Sequence, residues 1–275
     1  MNGDDRTAAL RANQATYQDL DERAYVRGAP HLKHASVARN YEAMVDAAIG
    51  GIGRDAKTIR VLELGAGSGL GSTAWFSRGV QLTAVDSSAE MLSLLTARAA
   101  AYGAAPVTIV ADALEFARSA GDRFDIVTHV SMLHHVPDYL SLVAASASRV
   151  QPGGALISFQ DPLRYDRLPA VHHAADRASY FVWRLAQGNY RRGLRTRLRR
   201  LRGLYSEREV VDFDEYHVVR NGVDSAAIVR LLEGWFAAVE EVPYWSTYNG
   251  ALQAIGQRLR LRSTFGILAS GRKPS

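Results

Sequence analysis

One stretch of the sequence decides the fold: Val61-Leu62-Glu63-Leu64-Gly65-Ala66-Gly67-Ser68-Gly69. An apolar run of strand-forming residues leads directly into three glycines, and a helical pattern follows. Glycine permits a tight turn with bare backbone, and the start of the next helix presents free N–H groups. The stretch therefore predicts a strand–turn–helix unit whose turn can receive a nucleotide-like ligand.

Strands alternate with helices on both sides of this turn. Strands are predicted at residues 59–64, 81–85, 107–110, 124–130, 155–159, 239–245 and 264–269. Helices are predicted at residues 36–49, 70–78, 88–102, 138–149, 225–235 and 252–261. Alternation at this spacing favours an α/β fold with a seven-stranded, mostly parallel sheet.

The same pattern divides the chain into four parts. Residues 1–53 are predicted to form an N-terminal helical lid, whose second helix ends in Gly50-Gly51-Ile52-Gly53. Residues 54–161 form the cofactor-binding core, and residues 223–275 return to complete its sheet. Between them the alternation stops, so residues 162–222 are predicted to be a largely helical insertion that caps the substrate after strand five.

Composition excludes several classes of protein. The 275 residues include no cysteine, which rules out disulfides, thiolate metal sites and cysteine nucleophiles. The net charge of +5 has a local source, because seven arginines lie between Arg191 and Arg202, and removing them leaves −2. No apolar run approaches the roughly 20 residues of a bilayer span, and the polar N-terminus does not resemble a secretory leader. A cytoplasmic protein is expected.

Two residues distinguish between the ligands that such a turn accepts. The dinucleotide fingerprint places glycine or alanine at its sixth position, which is Leu70 in this chain. Glu63 lies two residues before the first glycine, where a carboxylate would repel a pyrophosphate but suit a ligand bearing an ammonium group. The sequence therefore favours S-adenosylmethionine over a dinucleotide.

Two aspartates follow at the ends of the next predicted strands. Asp86 comes about 20 residues after the turn, where an acidic side chain accepts hydrogen bonds from ribose hydroxyls. Asp112, followed by Ala113, is placed to meet the adenine. The alternative is that the glycines only form a turn and both aspartates only cap helices.

Together these segments resemble the motifs of class I, Rossmann-like methyltransferases that use S-adenosylmethionine. The resemblance covers residues 58–161 and includes Ala84-Val85-Asp86-Ser87-Ser88-Ala89-Glu90-Met91, Ala111-Asp112-Ala113 and Arg149-Val150-Gln151-Pro152-Gly153-Gly154. It implies S-adenosylmethionine as cofactor and S-adenosylhomocysteine as product. The predicted cofactor-binding residues are Glu63, Gly65, Ala66, Gly67, Asp86, Ser87, Met91, Asp112, Ala113 and Val130.

The predicted reaction site follows strands four and five. The segment His134-His135-Val136-Pro137-Asp138 and the later Gln160-Asp161 are similar to a pattern in small-molecule and sugar O-methyltransferases. That resemblance implies that His134 or His135 accepts the hydroxyl proton and that Asp161 orients the imidazole. The alternative is that the histidines pack or touch the cofactor and that Asp138 caps the next helix.

Substrate contacts are predicted from histidines and aromatic residues outside the core. They are His31, His34, His172, His173, Tyr180 and Tyr248. Such side chains can hydrogen-bond a polyol or stack on a sugar or aromatic ring, but they also occur as surface or core residues. No spacing is diagnostic of a metal site, so no metal ligands are assigned and a magnesium requirement is left open.

These features predict an O-methyltransferase that acts on a hydroxyl of a small or medium acceptor, with a saccharide or glycosylated metabolite as the first candidate. One alternative is RNA methylation through the arginine-rich segment, although the Asn/Asp-Pro-Pro-Tyr/Phe signature is absent after strand four. The other is a non-catalytic protein that binds S-adenosylmethionine. The expected partner is a small molecule rather than a nucleic acid, and a homodimer is compatible with the sequence.

Overall fold

The computed structural model describes residues 33–186 and 222–274. Its strands are β1 Arg60–Leu64, β2 Gln81–Asp86, β3 Val107–Val110, β4 Phe124–Val130, β5 Val150–Pro162, β6 Phe236–Tyr244 and β7 Thr264–Arg272. Its α-helices are α1 Ala35–Ile52, α2 Thr73–Phe76, α3 Ala89–Ala100, α4 Ala113–Arg118, α5 Tyr139–Ser148, α6 Ala170–Ala186, α7 Ser225–Glu233 and α8 Gly250–Arg258. Short 3₁₀ turns occur at Ala56–Thr58, Leu133–His135 and Tyr165–Arg167.

In this described part of the chain, seven strands form one sheet in the order β3-β2-β1-β4-β5-β7-β6. The first five strands run parallel, and β7 is antiparallel to both β5 and β6. The predicted seven-stranded, mostly parallel sheet is confirmed. The strand order reverses between β1 and β4, and open α/β sheets bind ligands beyond the carboxyl ends of the strands at such a point.

The sheet separates two hydrophobic layers. Along β1, Val61 packs into one layer while Leu62 and Leu64 pack into the other, as the two-residue period of a strand requires. All three are fully buried, and truncating one to alanine would cost about 2–5 kcal/mol. Glu63 shares the face of Val61, so this alternation sends a carboxylate into an otherwise apolar layer.

Helix α1 covers that layer with one apolar stripe. Its buried residues recur at helical spacing and are Val37, Tyr41, Met44, Val45 and Ala48. The helix extends three residues beyond the predicted 36–49, to Ile52, which packs on the core, and so ends within Gly50-Gly51-Ile52-Gly53 as predicted. Gly53 then ends it in the left-handed conformation, with φ of +68°.

Several further predicted boundaries differ from the structure, and two of these differences have a structural cause. The helix after the glycine turn is reduced to Thr73–Phe76, because Gly69 has a φ of +77° and delays the first helical turn. Strand β5 begins at Val150 rather than Ala155, since Val150 already pairs with Phe124 ahead of a register shift. The helices and strands that position the site are unaffected.

The insertion is anchored at both of its ends. The N–H of Val223 donates to the carbonyl of Pro162 at 2.9 Å, and Arg164 and Arg167 both bind the carboxylate of Asp224. Helix α6 lies in the described first half. The rest of the insertion, with the arginine-rich segment 191–202, falls outside the described residues, as do His31 and the first predicted N-terminal helix.

Candidate active site

The glycine turn requires its glycines. Gly65, Gly67 and Gly69 have φ values of +69°, +52° and +77°, a region that favours glycine. A Cβ on Gly65 would lie 2.6 Å from the Met132 sulfur, and a Cβ on Gly69 would lie 2.7 Å from Cγ of Leu95. The turn therefore packs tightly against both the segment that follows β4 and helix α3.

Glu63 is a buried carboxylate on β1, two residues before the first glycine of this turn. One of its oxygens accepts a hydrogen bond from the Ser72 hydroxyl at 2.5 Å. Burial raises the pKa of Glu63 to about 7, the Ser72 hydrogen bond opposes that rise, and the negative charge of Asp86 adds to it. A cation that arrived at this position would stabilise the carboxylate, as the predicted ammonium group of the cofactor would.

Asp86 closes the turn from the end of β2. One carboxylate oxygen accepts the N–H of Gly67 at 2.8 Å, and the other accepts the N–H of Ser88 at 2.9 Å. Burial raises the pKa of Asp86, while these two bonds and one from the backbone of Ser87 lower it. A carboxylate has about four acceptor positions, so about one is left for a predicted ribose hydroxyl.

The remaining predicted cofactor residues line the same edge of the sheet. Asp112 caps α4, with its carboxylate accepting the N–H of Glu115 at 2.9 Å, and this bond does not test its predicted contact with the adenine. Ala113 and Met91 are buried, and Val130 lies beside Gly71. Contact of these residues with an adenine or a methionine moiety stays a prediction.

His134 and Asp161 come together as predicted. The Nδ1 atom of His134 lies 2.8 Å from the Asp161 carboxylate, and the same oxygen accepts the His134 backbone N–H at 3.1 Å. Asp161 is fully buried and the His134 side chain is 18% exposed. The carboxylate therefore fixes both the ring and the backbone that carries it.

A β-bulge turns Asp161 toward His134. Regular alternation would place Asp161 on the same face as Phe159, but the pairing of β5 with β7 shifts between these two residues. The extra residue is Gln160, which adopts a φ of +68°. Asp161 consequently shares the face of Ser158, whose hydroxyl lies 3.5 Å from its carboxylate.

Gln160 is held on the opposite face by its own hydrogen bonds. The Tyr244 hydroxyl donates to its side-chain oxygen at 2.9 Å, and its amide donates to the Ser246 hydroxyl at 2.9 Å. These contacts stabilise a backbone conformation that is unfavourable for a residue with a Cβ. The sequence pattern did not reveal the roles of Gln160, Tyr244 and Ser72, and no single-sequence pattern marks a bulge.

The two histidines have different surroundings. The His135 ring lies 4.0 Å from the His134 ring, centroid to centroid, and Nδ1 of His134 lies 2.8 Å from the Asp161 carboxylate. Asp138 caps α5 by accepting the N–H of Ser141, so the capping alternative is confirmed for it as well. Of the two candidates, the geometry favours His134 as the residue that handles a proton.

The protonation state of the His134 imidazole is suited to a general base. Burial lowers the pKa of the His134 imidazole to about 4, so the ring is neutral at pH 7. Because Asp161 accepts at Nδ1, that nitrogen carries the hydrogen and Nε2 presents a lone pair. The nearby carboxylate also favours the imidazolium once a proton arrives. Ring and carboxylate can therefore accept a proton from a bound hydroxyl.

Three elements meet at Thr247, on the loop between β6 and α8. Nε2 of His34, at the start of α1, lies 2.6 Å from the Thr247 carbonyl. The Ser179 hydroxyl on α6 bonds to the Thr247 hydroxyl, and the Lys33 ammonium donates to the Tyr248 carbonyl at 2.7 Å. His34 is buried, and the predicted N-terminal lid and the insertion are each joined to this loop by a hydrogen bond.

The other predicted substrate residues are dispersed. His172 accepts the backbone N–H of Arg262 at 3.2 Å, and the His173 ring stacks on Tyr165 at 5.3 Å. Tyr180 lies in α6, but its side chain is outside the described set. Substrate contact by these residues stays a prediction. Their local bonds fix the start of α6 against the segment that precedes β7.

Two features of the described ranges bear on other kinds of site. Among residues 33–186 and 222–274, no group of three or more His, Asp or Glu side chains is placed to hold a metal ion. In the same ranges, no helix is long and apolar enough to cross a membrane.

Part of the chain is similar to one protein-family model and to curated proteins. Residues 62–158 match a family model described as a methyltransferase domain. The ubiquinone biosynthesis O-methyltransferase of Aromatoleum aromaticum is 40% identical over 95 residues, which cover 34% of this chain and 41% of that protein. The enzyme of the same name from Xanthomonas campestris is 34% identical over 126 residues, covering 46% and 51%. The chain thus spans about half the length of these relatives, or less.

Solved structures resemble the whole fold at low identity. Magnesium protoporphyrin IX methyltransferase from Synechocystis, crystallised with S-adenosylhomocysteine, has a TM-score of 0.55 at 14% identity over 95% of this chain and 99% of its own. An N-methyltransferase from Bradyrhizobium japonicum, also with S-adenosylhomocysteine, has a TM-score of 0.52 at 13% identity over 97% and 100%. Residues 62–158 thus match a methyltransferase domain, and the fold resembles that of Rossmann-like methyltransferases of known structure.

Proposed function

We propose that the protein is an S-adenosylmethionine-dependent O-methyltransferase in which His134 is the general base. The observation that carries the proposal is the His134–Asp161 pair at 2.8 Å, beside the glycine turn. Met132, two residues before His134, packs against Gly65 and so brings the pair close to the turn. The curated relatives named O-methyltransferases support transfer to oxygen.

The residues of the glycine turn fit S-adenosylmethionine. The buried Glu63 carboxylate suits the ammonium group, and the acceptor position left on Asp86 suits a ribose hydroxyl. When bound, S-adenosylmethionine supplies a methyl group on a positively charged sulfur. The solved relatives that hold S-adenosylhomocysteine support the same choice of cofactor.

The chain's own contribution to the reaction is to place and deprotonate the acceptor. Nε2 of His134 would accept the hydroxyl proton of an acceptor that receives the methyl group supplied by S-adenosylmethionine. The Asp161 carboxylate holds the ring in the tautomer that exposes Nε2 and stabilises the imidazolium that forms. General-base catalysis of this kind contributes about 10²–10⁴-fold to the rate.

The low pKa of His134 bears on the class of acceptor. A base whose pKa is about 4 removes a proton most readily from an acidic hydroxyl. A phenol has a pKa of about 10, whereas water, a guide to a sugar hydroxyl, has about 15.7. We therefore rank a ring hydroxyl of a quinone precursor ahead of the saccharide suggested by the motif pattern. The relatives named for ubiquinone biosynthesis support that order.

A labelled-methyl transfer assay tests the proposal. The full chain is incubated with S-adenosylmethionine and three acceptor panels: dihydroxylated aromatic compounds, saccharides and RNA. We expect label on aromatic hydroxyls, lost in His134→Ala and retained in Glu240→Gln, a change at an exposed position on β6. Label on RNA would favour the alternative through the arginine-rich segment. Cofactor binding without transfer to any panel would favour the non-catalytic alternative. A cytoplasmic location and a homodimer stay predictions.

A further inference from the structure

Helix α6 exposes its apolar side and turns polar residues toward the protein. On the inner side, the buried Ser179 hydroxyl bonds to the Thr247 hydroxyl, and His172 accepts the backbone N–H of Arg262. On the outer side, Phe181 is 59% exposed. A surface helix normally packs its apolar side on the core and exposes its polar side. The reversed order in α6 indicates that its outer side meets an apolar partner.

The outer residues of α6 form one continuous stripe. Four exposed apolar residues recur every three or four positions: Val171, Ala174, Ala178 and Phe181. This spacing places them on one face of the helix. Val182, which is also exposed, lies one helical turn after Ala178 and widens the stripe. Single exposed apolar side chains are ordinary on a protein surface, whereas a continuous stripe is typical of an interaction surface.

Helix α8 lies beside α6 and is also apolar on its outer side. The residues that the inner side of α6 contacts, Thr247 and Arg262, come shortly before and shortly after α8 in the chain. Because α6 bridges the two ends of this segment, the two helices are neighbours. Ile255 and Leu259 are 54% and 64% exposed and lie one helical turn apart. We call the large exposed apolar residues of both helices the cap surface: Val171, Phe181, Val182, Ile255 and Leu259.

The exposed charges around the cap surface are positive. Helix α6 and residues 250–262 contain five arginines and a single carboxylate, Asp176. Asp176 is half-buried and lies one helical turn from both His172 and Ser179, on the inner side of α6. Four of the arginines are exposed: Arg177, Arg258, Arg260 and Arg262. Within residues 33–186 and 222–274, none of these four takes part in a salt bridge.

The combination of apolar side chains and cations selects the partner. In a symmetric dimer the cap surface would meet a second copy of itself, so arginines would face arginines at a cost in free energy. A nucleic acid offers phosphates to the arginines but has no apolar layer that buries aliphatic side chains. A bilayer with anionic lipids offers both, because charged headgroups lie next to an apolar interior.

We propose that the cap surface binds a bilayer that contains anionic lipids, with α6 and α8 lying in the plane of its headgroups. The exposed apolar side chains enter the boundary between headgroups and acyl chains, and the arginines bind lipid phosphates. This interaction goes beyond the proposed function and does not rest on it, because it requires neither cofactor nor methyl transfer.

The cap surface lies close to the proposed reaction site. The inner side of α6 bonds to Thr247, and the hydroxyl of the neighbouring Ser246 accepts the side-chain amide of Gln160, which precedes Asp161. Helix α6 is therefore the layer between a bound bilayer and the loop that contacts the Gln160 bulge. Binding at this surface brings the proposed reaction site close to acceptors that are dissolved in lipid.

Vesicle co-sedimentation of the full chain tests the proposal. One set of vesicles contains phosphatidylcholine alone, and the other contains phosphatidylcholine mixed with phosphatidylglycerol. We expect binding to the mixed vesicles, little binding to phosphatidylcholine alone, and weaker binding at high salt, which screens the arginines. No binding to the mixed vesicles at low salt would overturn the proposal, whatever the outcome of the methyl-transfer assay.

Two exposed variants locate the binding surface. Phe181→Ser should lower the vesicle partition coefficient about 10-fold, because an apolar side chain no longer enters the bilayer. The double variant Arg177→Gln with Arg258→Gln should lower it about 30-fold at low salt.

Each variant has a matched control on another surface. Val107→Ser, on β3, changes a side chain that is 59% exposed, as Phe181 is. Arg118→Gln with Arg230→Gln removes the same charge at exposed positions on α4 and α7. Both controls should bind like the unmodified protein. An equal loss in the second control would mean that binding follows net charge alone, and would overturn the proposal.

Two other results would assign the partner differently. Full vesicle binding in Phe181→Ser that disappears in Arg195→Gln with Arg197→Gln and Arg199→Gln would place the lipid site in the arginine-rich segment, and would overturn the proposal. The oligomeric state is measured by sedimentation velocity without vesicles. A dimer that dissociates in Phe181→Ser would mean that a second copy covers the cap surface, and would overturn it as well.

Discussion

The two halves of the candidate active site are built by different means. The half at the ends of β1 and β2 consists mainly of backbone: three glycines in left-handed conformations, closed by one carboxylate from Asp86. The half at the ends of β4 and β5 consists of side chains, with His134 held by Asp161 across two strands. The first half depends on local sequence, whereas the second depends on the register of the sheet.

This difference separates the effects that a substitution can have. Changes in the glycine half should alter cofactor affinity, and changes in the histidine half should alter the rate of transfer. The two halves touch where Met132 packs on Gly65. We therefore expect separate effects from changes to polar side chains, but not from changes to residues that pack between the two halves. Four substitutions test it, and their expected effects decrease from the first to the last.

Asp161→Asn should lower the rate of methyl transfer about 10³-fold without weakening cofactor binding. An amide can donate to Nδ1 of His134 and so select the tautomer that has no lone pair at Nε2. Single-turnover rates at saturating cofactor measure the effect. A rate within twofold of the unmodified protein would mean that Asp161 does not orient the base.

Asp86→Ala should weaken S-adenosylmethionine binding by about 100-fold, because it removes the acceptor of the Gly67 N–H and the predicted acceptor of the ribose hydroxyls. Isothermal titration measures the change. Asp122→Ala, at a side chain that is 75% exposed, is the matched control and should bind normally. An unaltered affinity in Asp86→Ala would mean that the cofactor does not bind at the glycine half of the site.

Glu63→Gln should stabilise the cofactor-free protein at neutral pH. The pKa of Glu63 is raised from its ordinary 4.5 to about 7, so the folded state binds more protons and loses stability as pH rises between these values. The glutamine variant lacks that loss, and its advantage should grow by about 3 kcal/mol from pH 4.5 to 7.5. Denaturant unfolding measures it, with Glu240→Gln as control. A difference in unfolding free energy that stays constant across this pH range would contradict the raised pKa of Glu63.

Tyr244→Phe should lower the transfer rate only severalfold. It removes the donor to Gln160 but keeps the ring, which stacks on Phe159 at 5.2 Å. Leaving the Gln160 oxygen without that donor should cost about 1–3 kcal/mol of stability. Rate and unfolding free energy are measured together, with Tyr102→Phe as control. A loss of stability with an unchanged rate would mean that the bulge does not depend on this bond.

The glycine half could be predicted almost entirely from the sequence. Its residues lie within one strand–turn–helix unit and one following strand end, so their spacing in the chain fixes their spacing in space. Glu63, the glycines and Asp86 lie where the pattern placed them. What the pattern did not reveal is the direct bond from Asp86 to Gly67, because Asp86 was assigned to the ribose alone.

The histidine half was predictable in its residues but not in its geometry. The motif pattern placed His134 and Asp161 in one site, yet it could not choose between His134 and His135. That choice depends on the bulge at Gln160, which arises from pairing between β5 and a strand about 100 residues later.

The most direct measurement of the central claim is to follow His134→Ala by two readouts in one preparation. Calorimetry should show an affinity for S-adenosylmethionine within twofold of the unmodified protein, while single-turnover transfer to the best acceptor should fall about 10²–10⁴-fold. These two results together would support a role for His134 as a base that does not contribute to cofactor binding. Transfer at the unmodified rate, or loss of rate explained wholly by weaker cofactor binding, would contradict it.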